Sequence, residues 1–297
     1  MTVLRLRDRT LAVEPGRPLV MGIVNANRDS FSDVQRTDTL DRQVRRALAL
    51  VADGADLVDV GGESGVTYND ATAPDEEAAR LVPLVERLVG EGVSVSVDTW
   101  KPAVARAVLE AGAVMLNDVS GLGDPALASL AARSGAALVV MHTRAAPKHE
   151  AFPDYDGDVV VDVEAFLRAR VAVALEQGVA EEQLVLDPGP DFAKTPAQTV
   201  AVLRSLDRLH ALGRPLLLAI SRKYFLGAIT GRPPAERLPA TLAAAAWAVD
   251  AGAAILRVHD VAAVRDVLAV KAVLEGHAEV PEFDATDEKL KWIRADR

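Results

Sequence analysis

Cysteine is missing from all 297 residues of the chain. Disulfides, thiolate metal sites and cysteine nucleophiles are thereby excluded. Aromatic residues are scarce, at 4%, and form no stripe on which successive bases could stack. Basic charge is short as well. Against 33 Lys and Arg stand 43 Asp and Glu, for a net charge of -10, so the chain lacks the cationic surface that nucleic-acid binding requires. No apolar run reaches roughly 18 residues, the length a membrane span needs. The opening Met1-Thr2-Val3-Leu4-Arg5 lacks the basic-then-apolar pattern of a secretory leader. The expected location is the cytoplasm. What remains is a globular composition, half hydrophobic and 26% charged, with ample material for a core.

Short β-rich runs alternate with longer amphipathic ones. The apolar runs are Leu19 to Val24, Leu57 to Val60, Val93 to Val97, Val114 to Leu116, Leu138 to Met141, Leu184 to Leu186, Leu216 to Ile220 and Ile255 to Val258. Their continuous apolar character suits parallel strands covered on both faces. Helical stretches lie between them: Asp41 to Val51, Asp75 to Val89, Pro102 to Leu109, Pro125 to Arg133, Val163 to Gln177, Pro196 to Leu212, Leu238 to Ala251 and Val261 to Leu274. Asp124-Pro125 and Thr195-Pro196 read as caps followed by a first-turn proline. Glycines such as Gly54, Gly90, Gly112 and Gly135 sit where helices stop. Eightfold alternation predicts a (β/α)8 TIM barrel in the α/β class, a single domain over 1–297. A doubly wound open sheet shares this alternation. A two-domain division lacks a Pro/Gly/Ser linker to support it. Residues 1–17 read as an N-terminal hairpin, with Glu14 to Arg17 as a turn, and 278–297 as a polar C-terminal tail.

The C-terminal end of each run carries polar residues: Asn25, Glu63, Asp98, Asn117 with Asp118, His142, Asp187, Ser221-Arg222-Lys223, and Arg257 with His259 and Asp260. Each has a bland explanation. Asp98 could cap a helix, Asn117 and Asp118 could form a turn, His142 could be a satisfied core histidine, Asp187-Pro188-Gly189 could be a plain turn, and Lys223 a solvated rim charge. Their convergence on one end of eight elements is not explained that way, because barrel active sites sit at that face. Strands seven and eight end in cations, and the loops after them often bind phosphate. Arg222, Lys223, Arg257 and His259 fit that role. Asp98, Asn117 and Asp187 offer acceptors to a flat, donor-rich ring. No His-x3-His or EF-hand spacing occurs. Asn25 with Asp29 could hold Mg²⁺ through water and ligand phosphates.

At these residues the sequence resembles the dihydropteroate synthases, from about Val20 to Leu274. The matching segments include Met21-Gly22-Ile23-Val24-Asn25, Asp29-Ser30-Phe31-Ser32-Asp33, Asp59-Val60-Gly61-Gly62-Glu63-Ser64, Ser96-Val97-Asp98-Thr99, Asn117-Asp118-Val119-Ser120-Gly121, Asp187-Pro188-Gly189, Ser221-Arg222-Lys223 and Arg257-Val258-His259. The resemblance implies that dihydropterin pyrophosphate is joined to p-aminobenzoate with release of pyrophosphate. It implies a pterin site at Asp98, Asn117, Met141, Asp187 and Lys223. Asn25, Arg257 and His259 would hold the pyrophosphate, with Mg²⁺ on Asn25. The second-substrate pocket would use Phe192, Ser221, Arg222, Gly65 and Tyr224. A homodimer through outer helices is also implied, for which Leu242 to Val249 with Trp247 could serve.

Departures from the family pattern are concentrated in the outer pocket. They are Ala26-Asn27-Arg28 in the first loop, Gly65-Val66 in the second, Asp191 where Gly is usual before Phe192, and Tyr224 where Ser follows the lysine. Three other readings therefore stand beside the synthase: a pterin-binding paralogue with a changed second step, a pterin-dependent methyltransferase barrel, and a binding module without catalysis. A remodelled outer pocket is expected to weaken sulfonamide binding.

Overall fold

The structure, a computed structural model, describes residues 2–7, 9–14, 16–26, 36–63 and 71–282. It opens with a two-stranded hairpin, β1 (Thr2–Leu6) antiparallel to β2 (Arg9–Val13). The barrel follows: β3 (Leu19–Asn25), α1 (Arg36–Ala52), β4 (Leu57–Gly61), α2 (Pro74–Gly90), β5 (Val95–Asp98), α3 (Pro102–Glu110), β6 (Met115–Asp118), α4 (Ala126–Ser134), β7 (Ala137–Met141), α5 (Val159–Glu176), β8 (Leu184–Asp187), α6 (Pro196–Leu203), α7 (Leu206–His210), β9 (Leu217–Leu218), α8 (Tyr224–Thr230), α9 (Leu238–Asp250), β10 (Ile255–Val258) and α10 (Val261–Leu274). All neighbouring strands from β3 to β10 pair in parallel. The order β8-β7-β6-β5-β4-β3-β10-β9 is closed by a parallel bridge between Leu186 and Leu216. The sheet is thus a barrel and not a doubly wound open sheet.

Successive side chains on a strand point to opposite faces, and this parity sorts the core into two. Val20, Val58, Val60, Val97, Leu116, Leu138, Val140 and Leu186 face outward and pack under the helices. Met21, Leu57, Met115, Val139, Val185, Leu217 and Ile255 face inward, and the hairpin's Leu4, Leu6 and Val13 join them. The hairpin thus plugs the N-terminal end of the barrel. An apolar floor lies below, so polar inward residues can sit only near the C-terminal rim.

Helix starts follow local chemistry. Thr195 and Gln198 form a reciprocal capping box at α6. Asp124 accepts from Ala126 N at 2.9 Å at the start of α4. Asp158 accepts from Val160 N and Val161 N, which starts α5 earlier than its apolar periodicity suggests. The two hairpin strands join next to Arg7, and the expected turn from Glu14 to Arg17 is present, with Arg17 N donating to Glu14 O at 3.1 Å on the way into β3. The expected helix over Pro196 to Leu212 is broken where Ser205 leaves helical geometry, at φ -119° and ψ 28°. Gly92, with φ 78°, ends α2 in place of Gly90, which is still helical. α8 was not legible in sequence: its seven residues are too short and too uniformly apolar to show a period. Among the described residues, no helix is long and apolar enough to cross a membrane.

Candidate active site

Inward parity at the rim selects a particular set of side chains. On β4 it is Asp59, on β5 Asp98, on β6 Asn117, on β7 Met141, on β8 Asp187 and on β10 Arg257, each an even number of positions from an inward core residue of its strand or in register with one on a neighbour. Arg257 ties several of these together. Its Nε donates to Asp59 Oδ2 at 2.6 Å and its Nη2 to Asp98 Oδ2 at 3.1 Å. Asn117 Nδ2 donates to the same Asp59 oxygen at 3.1 Å. Burial, followed by the Asp59 charge, pushes the Asp98 carboxyl up to about 7, with Arg257 opposing. Asp187, 3% exposed, is likewise raised by burial. One of its oxygens accepts from Gly189 N at 2.7 Å, and no other hydrogen bond reaches the carboxylate among the described residues.

Lys223 belongs to the same mouth. Its Nζ lies 4.2 Å from the centre of the Phe192 ring, within cation–π reach. Burial lowers its pKa, while Asp191 and Asp187 raise it. Ser221 and His259 pair across the neighbouring strand ends. Ser221 Oγ accepts from His259 N at 3.3 Å and sits 3.0 Å from His259 Nδ1. With the Ser221 hydroxyl donating to Nδ1, the ring proton of the neutral imidazole would sit on Nε2. Burial and then Arg222 lower His259 to about 4, so the ring is neutral near pH 7. Asn25 ends β3 with an exposed side chain.

Parity also removes residues. Asp118 points outward and accepts from Ser120 N and Leu122 N, so its turn-forming reading holds. His142 is fully buried among Phe166 and Tyr155. Its Nε2 meets Asp162 at 2.8 Å and its Nδ1 meets Lys194 at 2.8 Å, which makes it a satisfied core histidine. Arg222 is committed to a two-pronged pair with Asp260, Nη2 to Oδ1 at 2.8 Å and Nε to Oδ2 at 3.1 Å. Tyr224 opens α8 and is 60% exposed. Gly65, Arg28, Asp29 and Val66 lie outside the described residues. Glu63 is held by Lys101, whose Nζ donates to Glu63 Oε2 at 2.5 Å, Glu77 Oε2 at 2.6 Å and Thr72 O at 2.7 Å.

Asp191 explains one departure from the family pattern. Its φ is 64°, the left-handed region where glycine is cheapest and Asp among the better tolerated substitutes. Its carboxylate accepts from Phe225 N at 3.2 Å and Thr199 Oγ1 at 3.2 Å, tying the β8 loop to the start of α8.

Two residues of consequence were missed in the sequence. Asp59 was quoted only as part of a motif, although a carboxylate inside the buried run Leu57-Val58-Asp59-Val60 carries the inward parity of Leu57. Lys194 gave no signal, since nothing in sequence distinguishes a buried lysine from a surface one.

The pterin binding enzyme family matches residues 21–259. A dihydropteroate synthase of Mycobacterium leprae is 45% identical over 260 residues, covering 84% of this chain and 91% of that protein. One from Bacillus subtilis is 40% identical over 247 residues, covering 82% and 84%. Among solved structures, Xanthomonas albilineans dihydropteroate synthase with 4-aminobenzoic acid superposes with TM-score 0.85 at 41% identity, covering 94% of this chain and all of that one. The Burkholderia cenocepacia enzyme complexed with 7,8-dihydropteroate gives TM-score 0.84 at 41% identity, covering 93% and 97%. Matches of this extent, on a barrel whose rim converges the residues that suggested them, show that the chain belongs to the pterin binding enzyme family and, within it, to the dihydropteroate synthases.

Proposed function

We propose that the chain condenses 6-hydroxymethyl-7,8-dihydropterin pyrophosphate with p-aminobenzoate, giving 7,8-dihydropteroate and pyrophosphate. The observation that carries this reading is the inward convergence of Asp98, Asn117, Asp187, Lys223 and Arg257 above an apolar floor. A buried carboxylate facing the N–H and NH2 edge of a pterin makes a strong charge-assisted contact. Asp187 would take that edge, Asp98 and Asn117 would accept further ring N–H groups, Lys223 would donate to the ring carbonyl, and Met141 would pack on the ring face. Arg257 and the Nε2–H of His259 would receive the pyrophosphate.

The amine nitrogen of p-aminobenzoate would attack the pterin methylene as its C–O bond to pyrophosphate breaks. One N–H proton is then lost and the oxygen leaves with its electron pair. An arylamine needs little help from a base. The protein's contribution is positioning plus fixed cations around the departing anion. Phe192 and Ser221 lie beside Lys223 and His259, where the second substrate would bind, and Arg222 and Tyr224 follow Ser221 on the same loop and helix start.

Among the described residues, no three His, Cys, Asp or Glu gather to hold a metal. Asn25, exposed at the end of β3, would offer an amide oxygen to Mg²⁺, a hard ion that keeps several waters and takes oxygen ligands together with substrate phosphates. The ion would supply charge neutralisation of the pyrophosphate. We place the enzyme in the cytoplasm as a homodimer. Trp247 is 40% exposed on α9, and Val270 and Leu274 are 59% and 81% exposed on α10, giving an apolar outer face. Sedimentation velocity should find a species of twice the chain mass, and a monomer at micromolar concentration would refute the dimer.

The function is tested by pyrophosphate release from dihydropterin pyrophosphate with and without p-aminobenzoate. Amine-dependent release is expected. Release indifferent to the amine, or none at all, would refute the condensation. Binding of dihydropterin pyrophosphate is expected at Kd of micromolar order, roughly -8 kcal/mol.

A further inference from the structure

We propose that Asp59 is a positioning residue for this reaction, fixing the Arg257 guanidinium and setting which way round the Asn117 amide faces the ring. The proposal rests on the pterin reading above. Asp59 is fully buried on β4. Its hydrogen-bond donors come from two other strands. Arg257 reaches it from β10, passing over β3, and Asn117 from β6, passing over β5. Both converge on one oxygen, Oδ2. Among the described residues, the other oxygen is buried without a partner, in register with Ser96, whose hydroxyl is also unpaired. No solvent stabilises this charge, so the guanidinium at 2.6 Å is what balances it.

Two consequences follow from donor and acceptor chemistry. A carboxylate only accepts, so the Asn117 NH2 must face Asp59 and the amide oxygen is left for the ligand. Without Asp59 the amide could turn and offer a donor where the ring also offers one. Arg257, meanwhile, has two carboxylate partners of unequal closeness, 2.6 Å to Asp59 and 3.1 Å to Asp98. Asp59 can hold the guanidinium while Asp98 exchanges it for a ring N–H. The arginine then stays at the mouth throughout, ready for the pyrophosphate.

The test uses two variants and the separate KM values of the two substrates. Asp59→Leu keeps the branching at Cγ in a somewhat larger side chain and removes both acceptors. It should raise the KM for dihydropterin pyrophosphate by 50-fold or more, with the KM for p-aminobenzoate within twofold of wild type. Asp59→Asn keeps one acceptor oxygen for both Arg257 and Asn117, loses the charge, and puts an NH2 at the position of the second oxygen, in register with Ser96. It should rescue most of that loss, leaving a five- to tenfold increase in the same KM alone. An unchanged pterin KM in either variant, or equal increases in both KM values, would overturn the proposal. So would an Asn variant as impaired as the Leu variant. Should the Leu variant not fold, the Asn variant decides by the same split. Wild-type binding of dihydropterin pyrophosphate, measured alongside, tests the underlying reading separately: if wild type binds and the variants match it, only the role of Asp59 fails.

Discussion

Asp187→Ala should abolish measurable binding of dihydropterin pyrophosphate while leaving the fold intact. The side chain is 3% exposed at the end of β8, and one of its oxygens is already used by Gly189 N. Burial raises its pKa, so in the empty protein the charge is costly and contributes little to stability. A ligand presenting two N–H donors would repay that cost only on binding. Removing one partner of a buried charge-assisted pair costs about 3–5 kcal/mol, or a factor of roughly 10² to several 10³ in Kd. From a micromolar start, that puts affinity near the millimolar range, beyond ordinary calorimetry. Asp187→Asn is the sharper companion. It preserves shape but turns an acceptor into a donor, so it should lose nearly as much affinity with a melting temperature close to wild type. Calorimetry showing retained micromolar binding in either variant would place the ring elsewhere in the barrel.

The contrast between Asp187 and His142 shows what the sequence could and could not reveal. Both are polar residues at strand ends, and by position alone they are equivalent candidates. Strand parity separates them once the register is known: Asp187 pairs with the inward Met141, whereas His142 follows it and turns toward α5. The eight apolar runs fixed the number of strands, and their continuous character fixed the parallel sheet. Closure, which the eightfold alternation predicts, is made by the bridge between Leu186 and Leu216 beside a strand only two residues long. Asp98, Asn117, Lys223 and Arg257 were legible because each interrupts or ends an apolar run. Asp59 was visible by the same rule but was absorbed into a motif. The commitment of Arg222 to Asp260 was not visible, since ion pairing between loops 38 residues apart leaves no periodic trace. Asp191 stood out only as a departure, and its meaning came from a backbone angle.

Lys194→Met should be the most destabilising single change in the barrel mouth, by about 3–5 kcal/mol. Lys194 is 1% exposed. Its Nζ lies 2.8 Å from His142 Nδ1, 3.0 Å from Gly189 O and 3.1 Å from Phe192 O. Burial pulls its pKa down to about 7, with Asp187 opposing. Even so, three close acceptors match the three protons of an ammonium, and a neutral amine would leave one unsatisfied. We take the ammonium as the bound form. The carbonyls it holds belong to the loop joining β8 to α6, where Asp191 and Ala193 both have positive φ, 64° and 52°. Left-handed geometry costs a non-glycine residue roughly 1–2 kcal/mol, so this loop is strained and needs an internal anchor. Tyr155 adds a second anchor, donating to Ala193 O at 2.6 Å. Methionine fills the same space but leaves the Phe192 carbonyl and the His142 Nδ1 without their donor, while Gly189 O keeps only the bond from Phe192 N. Chemical denaturation should show the loss directly, and the variant should bind p-aminobenzoate weakly, because Phe192 sits on the released loop beneath Lys223. Replacing the partner as well, in Lys194→Met with His142→Phe, removes one of the orphaned groups and should recover part of the stability without recovering the loop. A Lys194→Met protein as stable as wild type would mean that the loop holds its shape without the ammonium, and that the strain at Asp191 and Ala193 is balanced elsewhere.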